Sequence, residues 1–102
     1  MKIKRLKPKP VFKSAPHHVE AFKALAHPDR LRVFFHLVRE GCECPAGKIQ
    51  RAVDIPAPTL SRHLDLLRRA GLLESRREER FIHYRVRRET VTELIRLLTA
   101  CC

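Results

Sequence analysis

The sequence predicts a mainly helical domain that carries one β-hairpin, arranged as a winged helix-turn-helix. Three observations lead to this prediction. Two short amphipathic segments flank a brief turn, the apolar period changes from 3.6 to 2 residues after Gly71, and a helical period returns near the C-terminal end. A chain of 102 residues has the size of one domain with a single core, which we place at residues 14–102.

Proline and glycine mark the limits of the first three helices. We expect a helix at residues 16–26, because the pair His27-Pro28 disfavours its continuation. Pro28 then begins a second helix, which Gly41 ends. A short third helix is expected at Ala46–Val53, and a turn at residues 54–56 joins it to the fourth.

The fourth helix is the one around which the domain is organised. Pro58 suits a first helical position, and Gly71 supplies the positive φ that ends the helix. Its inward face is a row of leucines spaced i, i+4 and i+7: Leu60, Leu64 and Leu67. Its exposed N-terminal end carries serine, threonine and arginine, a combination that suits a DNA major groove.

The hairpin, or wing, is predicted from alternating apolar residues around a charged tip at residues 77–80. Beyond it, Thr90 and Glu93 have the spacing of a capping box that begins the last helix. The apolar stripe of that helix consists of Val91, Leu94, Ile95 and Leu98. A stripe so rich in large apolar residues predicts contact with a second subunit.

Basic residues are concentrated in two parts of the chain. The formal net charge is +11, of which residues 1–13 contribute +6 as a flexible basic arm. Residues 57–88 hold nine arginines against four acids, so the basic excess of the remaining chain falls on the fourth helix and the wing. This clustering favours nucleic acid as the partner, although a merely solvated basic surface remains open.

No apolar run approaches the roughly 18–20 residues of a membrane span, and no hydrophobic signal core follows the basic start. We therefore expect a cytoplasmic protein that needs no cofactor in order to fold. A thiol enzyme is disfavoured, because Cys42-Glu43-Cys44 lacks a thioredoxin-type setting and no catalytic cleft is evident.

Three stretches resemble the ArsR/SmtB family of bacterial metal-responsive repressors. They are residues 24–33 (ALAHPDRLRV), residues 58–72 (PTLSRHLDLLRRAGL) and residues 81–86 (FIHYRV). The resemblance implies a homodimer built on the first and last helices, bound to a pseudo-palindromic operator and released by an effector. The chain departs from the family at Glu79, where relatives often have glycine, so we expect a distorted turn at the wing tip. Residues 45–47 (PAG) replace the Cys-Val-Cys box, and Glu93 is the only zinc-ligand candidate in the last helix.

The DNA contacts are predicted from the fourth helix outward. Arg62 is the residue that we most expect to hydrogen-bond a guanine base edge. His63 is expected to pack towards the core. Arginines of the wing and the helix end would bind phosphates or enter the minor groove, and the third helix would anchor to the backbone. The complete predicted set is Thr59, Ser61, Arg62, Asp65, Arg69, Lys48, Gln50, Arg76, Arg77 and Arg80.

Cysteines are the candidate sensing residues. Cys101 and Cys102 are adjacent, which disfavours a relaxed disulfide but allows both thiolates to hold one thiophilic centre. The resemblance to a branch of the family with such a pair implies trivalent arsenic, arsenite or methylarsenite, as inducer. The usual third cysteine is absent, so either Cys42 or Cys44 completes the site or two thiolates suffice, which suits methylarsenite.

Other readings of the same residues remain open. Cys101 and Cys102 could be inert. We expect the histidines to be structural or solvated, since none of them forms a metal-spaced pair with another ligand type: His17, His18, His27, His36 and His83. On the same scaffold, Cys42 and Cys44 could instead form a thiol redox or persulfide sensor. In a different class of function, the chain would be an architectural nucleic-acid-binding protein with no effector.

Overall fold

The computed structural model describes residues 15–100 and confirms the winged helix-turn-helix. The expected elements follow in the expected order, joined by one short strand that the sequence did not predict. Their bounds are α1 Pro16–Leu25, α2 Pro28–Glu40, β1 Cys44–Pro45, α3 Ala46–Val53, α4 Ala57–Arg69, β2 Leu73–Glu78, β3 Phe81–Val86 and α5 Arg88–Thr99. The predicted arm at residues 1–13 lies outside the described residues. None of the described helices combines the length and the apolar character that crossing a membrane requires.

The predicted glycines end α2 and α4. Gly41 has φ +69° and Gly71 has φ +82°, the left-handed conformation that glycine adopts most easily. After α4, the Leu72 N–H donates to the Leu67 carbonyl and the Gly71 N–H to the Arg68 carbonyl, both at 3.0 Å. This pair of bonds is a Schellman motif, which satisfies carbonyls at the helix end and turns the chain into the wing.

A third strand joins the wing to the rest of the domain. β1 and β2 both pair antiparallel with β3, in the order β1-β3-β2, so the central strand is the second strand of the hairpin. In this register Cys44 lies opposite Tyr84. The strand was missed because two residues are too few for a period of two to show in the sequence.

The core lies beneath α4, and its inward leucines are buried as predicted. Leu60, Leu64 and Leu67 pack with apolar residues of α2, α3 and the wing. Each fully buried leucine stabilises the fold by about 1.5–3 kcal/mol relative to exposure. α4 begins at Ala57, after Pro56 as N-cap, so Pro58 occupies the second helical position rather than the first.

The predicted capping box at Thr90 is wrong. α5 begins three residues earlier than that box implies, at Arg88, with Arg87 in place of Thr90 as its N-cap. The Thr90 hydroxyl instead donates to the Gly71 carbonyl at 2.6 Å, and Glu93 contacts histidines of α1. Both polar side chains therefore tie α5 to distant parts of the fold, an outcome that local spacing does not reveal.

Candidate DNA-binding interface

The N-terminal part of α4 has the composition of a groove-reading surface. Thr59, Ser61 and Arg62 are all exposed, while the opposite face of the helix is buried. Within residues 15–100, Arg62 forms neither a hydrogen bond nor an ion pair, so its guanidinium is available to a ligand. An available guanidinium beside two short hydroxyl side chains can donate to base edges in a major groove.

The two arginines in the second half of α4 share one carboxylate within the helix. Arg68 donates to Asp65 at 2.7 Å, and Arg69 pairs with the same carboxylate. These two hydrogen bonds lower the pKa of Asp65, so the carboxylate stays charged and occupied. Asp65 and Arg69 both belong to the predicted DNA contacts and lie on the predicted helix, but they already pair with each other. A base or a phosphate would have to displace this ion pair in order to bind either residue.

The wing presents two kinds of arginine. Arg76 donates from Nη2 to Glu43 at 2.8 Å and from Nε at 3.1 Å, and it also lies 3.5 Å from Glu78. This two-bond contact lowers the pKa of Glu43 and raises that of Arg76. Arg77 and Arg80 are exposed and have no acidic partner among the described residues.

The two residues of α3 that were predicted to contact the DNA backbone are Lys48 and Gln50. Lys48 is exposed, but its ammonium lies 3.5 Å from the Glu40 carboxylate, and Gln50 is half-buried. The cations that the described structure leaves free among the predicted set are therefore Arg62, Arg77 and Arg80. Arg62 lies on α4, the candidate reading helix, and Arg77 and Arg80 lie on the wing. These are the two elements with which a winged helix contacts DNA.

The wing tip forms a tight turn at Glu79 and Arg80, shorter than the predicted tip at residues 77–80. Glu79 has φ +57°, a conformation that costs a residue with a side chain about 1–2 kcal/mol. The distortion expected at this position, where relatives often have glycine, is therefore confined to the strained backbone of Glu79. The strands on either side stay in register from Leu73 opposite Val86 to Glu78 opposite Phe81.

His63 lies on the buried side of α4, as predicted. It is 6% exposed, and its ring lies 4.8 Å from that of His27. Burial and the neighbouring His27 lower the pKa of His63, which favours the neutral ring. Its Nδ1 is buried and finds no hydrogen-bond partner among the described residues. His63 therefore packs against the α1–α2 junction and does not read DNA.

Cys42 and Cys44, two of the candidate sensing cysteines, differ in their exposure to solvent. Cys42 is exposed and lines an open cleft of about 980 Å³ between α2 and the start of α5. Cys44 is 1% exposed, and burial together with Glu40 raises the pKa of its thiol. Cys101 and Cys102 lie outside the described residues. α5 leads towards them, and its length from Thr92, which lines the cleft, to Thr99 is about 10 Å.

Histidines form polar clusters that the sequence did not predict. We expected no histidine to share a metal-type grouping with another ligand type, and the structure corrects this. Three groups place one ligand atom from each residue within 4.8 Å of the others. They are His17 with His18 and Glu93, His27 with Asp29 and His63, and His36 with Glu40 and Cys44. Sequence spacing hid them because each group joins residues from different elements or from the two sides of a turn.

The apolar stripe of α5 is only partly covered by its own chain. Leu94 is buried, whereas Ile95 is 55% and Leu98 65% exposed. Val19 on α1 is also exposed. Large aliphatic side chains left in water on α1 and α5 form an apolar surface that favours association with another protein surface.

Comparisons with known proteins agree with this architecture. A family model described as "Helix-turn-helix domain" matches residues 25–76. The Biofilm growth-associated repressor of Agrobacterium fabrum is 40% identical over 78 residues, which cover 76% of this chain and 65% of that protein. The Arsenic resistance transcriptional regulator ArsR1 of Pseudomonas putida is 39% identical, over 67% of this chain and 52% of that protein.

A solved structure is similar over most of the described fold. It is the homodimeric winged helix-turn-helix DNA-binding domain of a Mycobacterium bovis protein described as a possible ArsR-family transcriptional regulator. It superposes with a TM-score of 0.68 at 30% identity, covering 83% of this chain and 77% of that one.

Proposed function

This chain belongs to the ArsR family of winged-helix transcriptional regulators, and from that premise we propose a specific regulatory function. The protein binds operator DNA as a homodimer and represses transcription. A trivalent arsenical, arsenite or methylarsenite, binds its cysteine thiolates and releases the DNA. The observation that carries the DNA-binding half of this proposal is the set of exposed guanidinium groups on α4 and the wing that have no acidic partner within residues 15–100: Arg62, Arg77 and Arg80.

Dimerisation is supported by the exposed aliphatic residues of α1 and α5. A twofold axis through these helices would cover Ile95 and Leu98 and place two copies of α4 on one side of the dimer. Two reading helices about 34–36 Å apart match successive turns of one face of B-DNA. The homodimeric relative from Mycobacterium bovis supports the same assembly.

Sulfur ligands support an arsenical as the inducer. Vicinal thiolates at Cys101 and Cys102 can hold one thiophilic centre, and a relative from Pseudomonas putida is an arsenic resistance regulator. In this proposal Cys101 and Cys102 alone hold the arsenic, without a third sulfur from Cys42 or Cys44. Two thiolates leave one bond of arsenic to carbon, which favours methylarsenite over arsenite.

The test is release of the protein from DNA. Fluorescence anisotropy of a labelled duplex from upstream of the protein's own gene would follow titrations with arsenite, methylarsenite, antimonite, zinc and peroxide. We expect methylarsenite to release the wild-type protein and to leave a Cys101→Ser/Cys102→Ser variant bound. The matched control is Cys42→Ser, which should still be released.

Three outcomes would overturn parts of this proposal. Release of the double variant by arsenicals would place the site elsewhere in the chain. Release by peroxide or polysulfide, with arsenicals inert, would replace it with thiol redox sensing, for which the exposed Cys42 is the accessible thiol. Equal affinity for every duplex, with no effector response, would identify an architectural nucleic-acid-binding protein.

A further inference from the structure

We propose that His36, Glu40 and Cys44 form a binding site for a divalent transition metal of the zinc type. The site lies where α2, β1 and the wing meet, and it is separate from the proposed arsenical site at Cys101 and Cys102. Its role is to fix the strand that precedes α3 against α2 and the wing. It goes beyond the proposed repressor function, because it concerns a second class of ligand at different residues.

The chain path brings the three ligands together. His36 and Glu40 are four residues apart on α2, so they share one side of the helix. Gly41 then reverses the chain with φ +69°, and Cys44 returns in β1. One ring nitrogen, one carboxylate oxygen and the Cys44 sulfur all lie within 4.8 Å of one another.

The ligand atoms are sheltered, and the site is open on one side. Cys44 is 1% exposed, and the Nε2 of His36 is buried with no hydrogen-bond partner among the described residues. The Glu40 side chain is 30% exposed and faces the Lys48 ammonium at 3.5 Å. A buried imidazole nitrogen without a partner is costly, and a metal ion would satisfy it. Glu40 provides the path from solvent, since its weak contact with Lys48 can open.

The set of donors selects the metal. Imidazole, carboxylate and thiolate are the ligands of Zn²⁺, at about 2.0–2.3 Å, whereas Mg²⁺ and Ca²⁺ prefer oxygen alone. Three protein ligands leave the fourth tetrahedral position to water. When the ion binds, the Cys44 thiol proton leaves to solvent, and the adjacent cation offsets the burial that otherwise favours the neutral thiol.

Each of the other two histidine clusters contains one histidine whose ring nitrogen already accepts a backbone hydrogen bond, whereas the Nδ1 of His63 is, like the Nε2 of His36, buried and without a partner among the described residues. The Nδ1 of His18 accepts from the Ala15 N–H at 2.9 Å, which leaves its proton on Nε2 facing Glu93. The Nδ1 of His27 accepts from the Asp29 N–H at 3.1 Å as the N-cap of α2. For the Nε2 of His36, no such commitment exists among the described residues.

The location links the site to DNA-contacting elements. Cys44 pairs with Tyr84 on the central strand of the wing and lies two residues before α3 begins. Glu43, between the two cysteines, holds Arg76 of the wing. An ion bound to Cys44 would therefore restrain the start of α3 and the base of the wing together.

The experiment uses the full chain with Cys42→Ser, Cys101→Ser and Cys102→Ser, so that Cys44 is the only sulfur ligand left. The variant is titrated with Co²⁺, without DNA or arsenicals. We expect a thiolate-to-cobalt charge-transfer band that saturates at one ion per chain and is displaced by Zn²⁺. Because the readout involves neither DNA nor arsenic, its failure would leave the proposed repressor function standing.

Added substitutions assign the ligands. His36→Gln or Glu40→Gln should weaken Co²⁺ binding by at least about 10–100-fold, the loss typical of disturbing a metal site. The matched control, Glu93→Gln in the α1–α5 cluster, should leave the affinity unchanged. Circular dichroism confirms that each variant is folded. No thiolate band in a folded variant, or a band insensitive to both His36→Gln and Glu40→Gln, would overturn the assignment.

Discussion

Removing the Arg62 side chain should separate sequence reading from general attraction to DNA. Arg62 is exposed and has no partner within residues 15–100, so Arg62→Ala should change the free energy of unfolding by less than about 0.5 kcal/mol. A bidentate arginine–guanine contact contributes about 1–3 kcal/mol of discrimination. A dimer carries the contact twice, so specific binding should weaken by about 2–6 kcal/mol in total.

The assay compares two duplexes and two variants. Anisotropy titrations of operator and unrelated DNA at several salt concentrations would give affinities and salt slopes. Arg39→Ala is the matched control, because it removes an exposed arginine from α2 that is not among the predicted contacts. Arg62→Ala should lose affinity only for the operator and keep its salt slope. Equal loss on both duplexes, with a shallower salt slope, would make Arg62 a phosphate contact and refute base reading.

Three further predictions concern stability. Leu67→Ala should lower the free energy of unfolding by about 2–5 kcal/mol in urea, because Leu67 is fully buried; a loss below about 1 kcal/mol would mean that the core beneath α4 relaxes. Glu79→Gly should raise it by about 1 kcal/mol by relieving the left-handed φ, and an unchanged urea midpoint would show that the turn is not strained. The lowered pKa of His63 means that the unfolded chain binds more protons, so stability should fall as pH drops below about 6.5. His63→Gln should flatten that part of a pH series of urea unfolding, and an unaltered slope would assign it to other groups.

Local pattern predicted the elements well and the side-chain partners poorly. The period of apolar residues, with Gly41 and Gly71, predicted limits of the first four helices that agree with the structure to within one residue, whereas the start of α5 was wrong by three. The sequence did not show which arginines have an acidic partner, because that partner can lie far along the chain. Arg76 is held by Glu43, which is 33 residues away, whereas Arg77 beside it has no acidic partner in the described part.

The same limit applies to the candidate effector sites. Cys42 and Cys44 were equivalent in the sequence, but the pairing of β1 with β3 buries Cys44 and leaves Cys42 at the surface. Glu93 was assigned to a capping box, yet the packing of α1 against α5 brings it to His17 at 2.7 Å. The group of His36, Glu40 and Cys44 arises only after the turn at Gly41 folds the chain back.

The sequence by itself determined that this protein is a winged helix-turn-helix, and it predicted that α4 reads DNA and that cysteine is the sensing residue. Periodicity and composition carry this information because secondary structure depends on neighbours within a few residues. The tertiary structure alone decided which arginines remain available for DNA, which cysteine is buried and which histidines share a cluster. These properties depend on contacts between residues distant in the chain, whose charges cancel and whose surfaces are covered only when the elements pack.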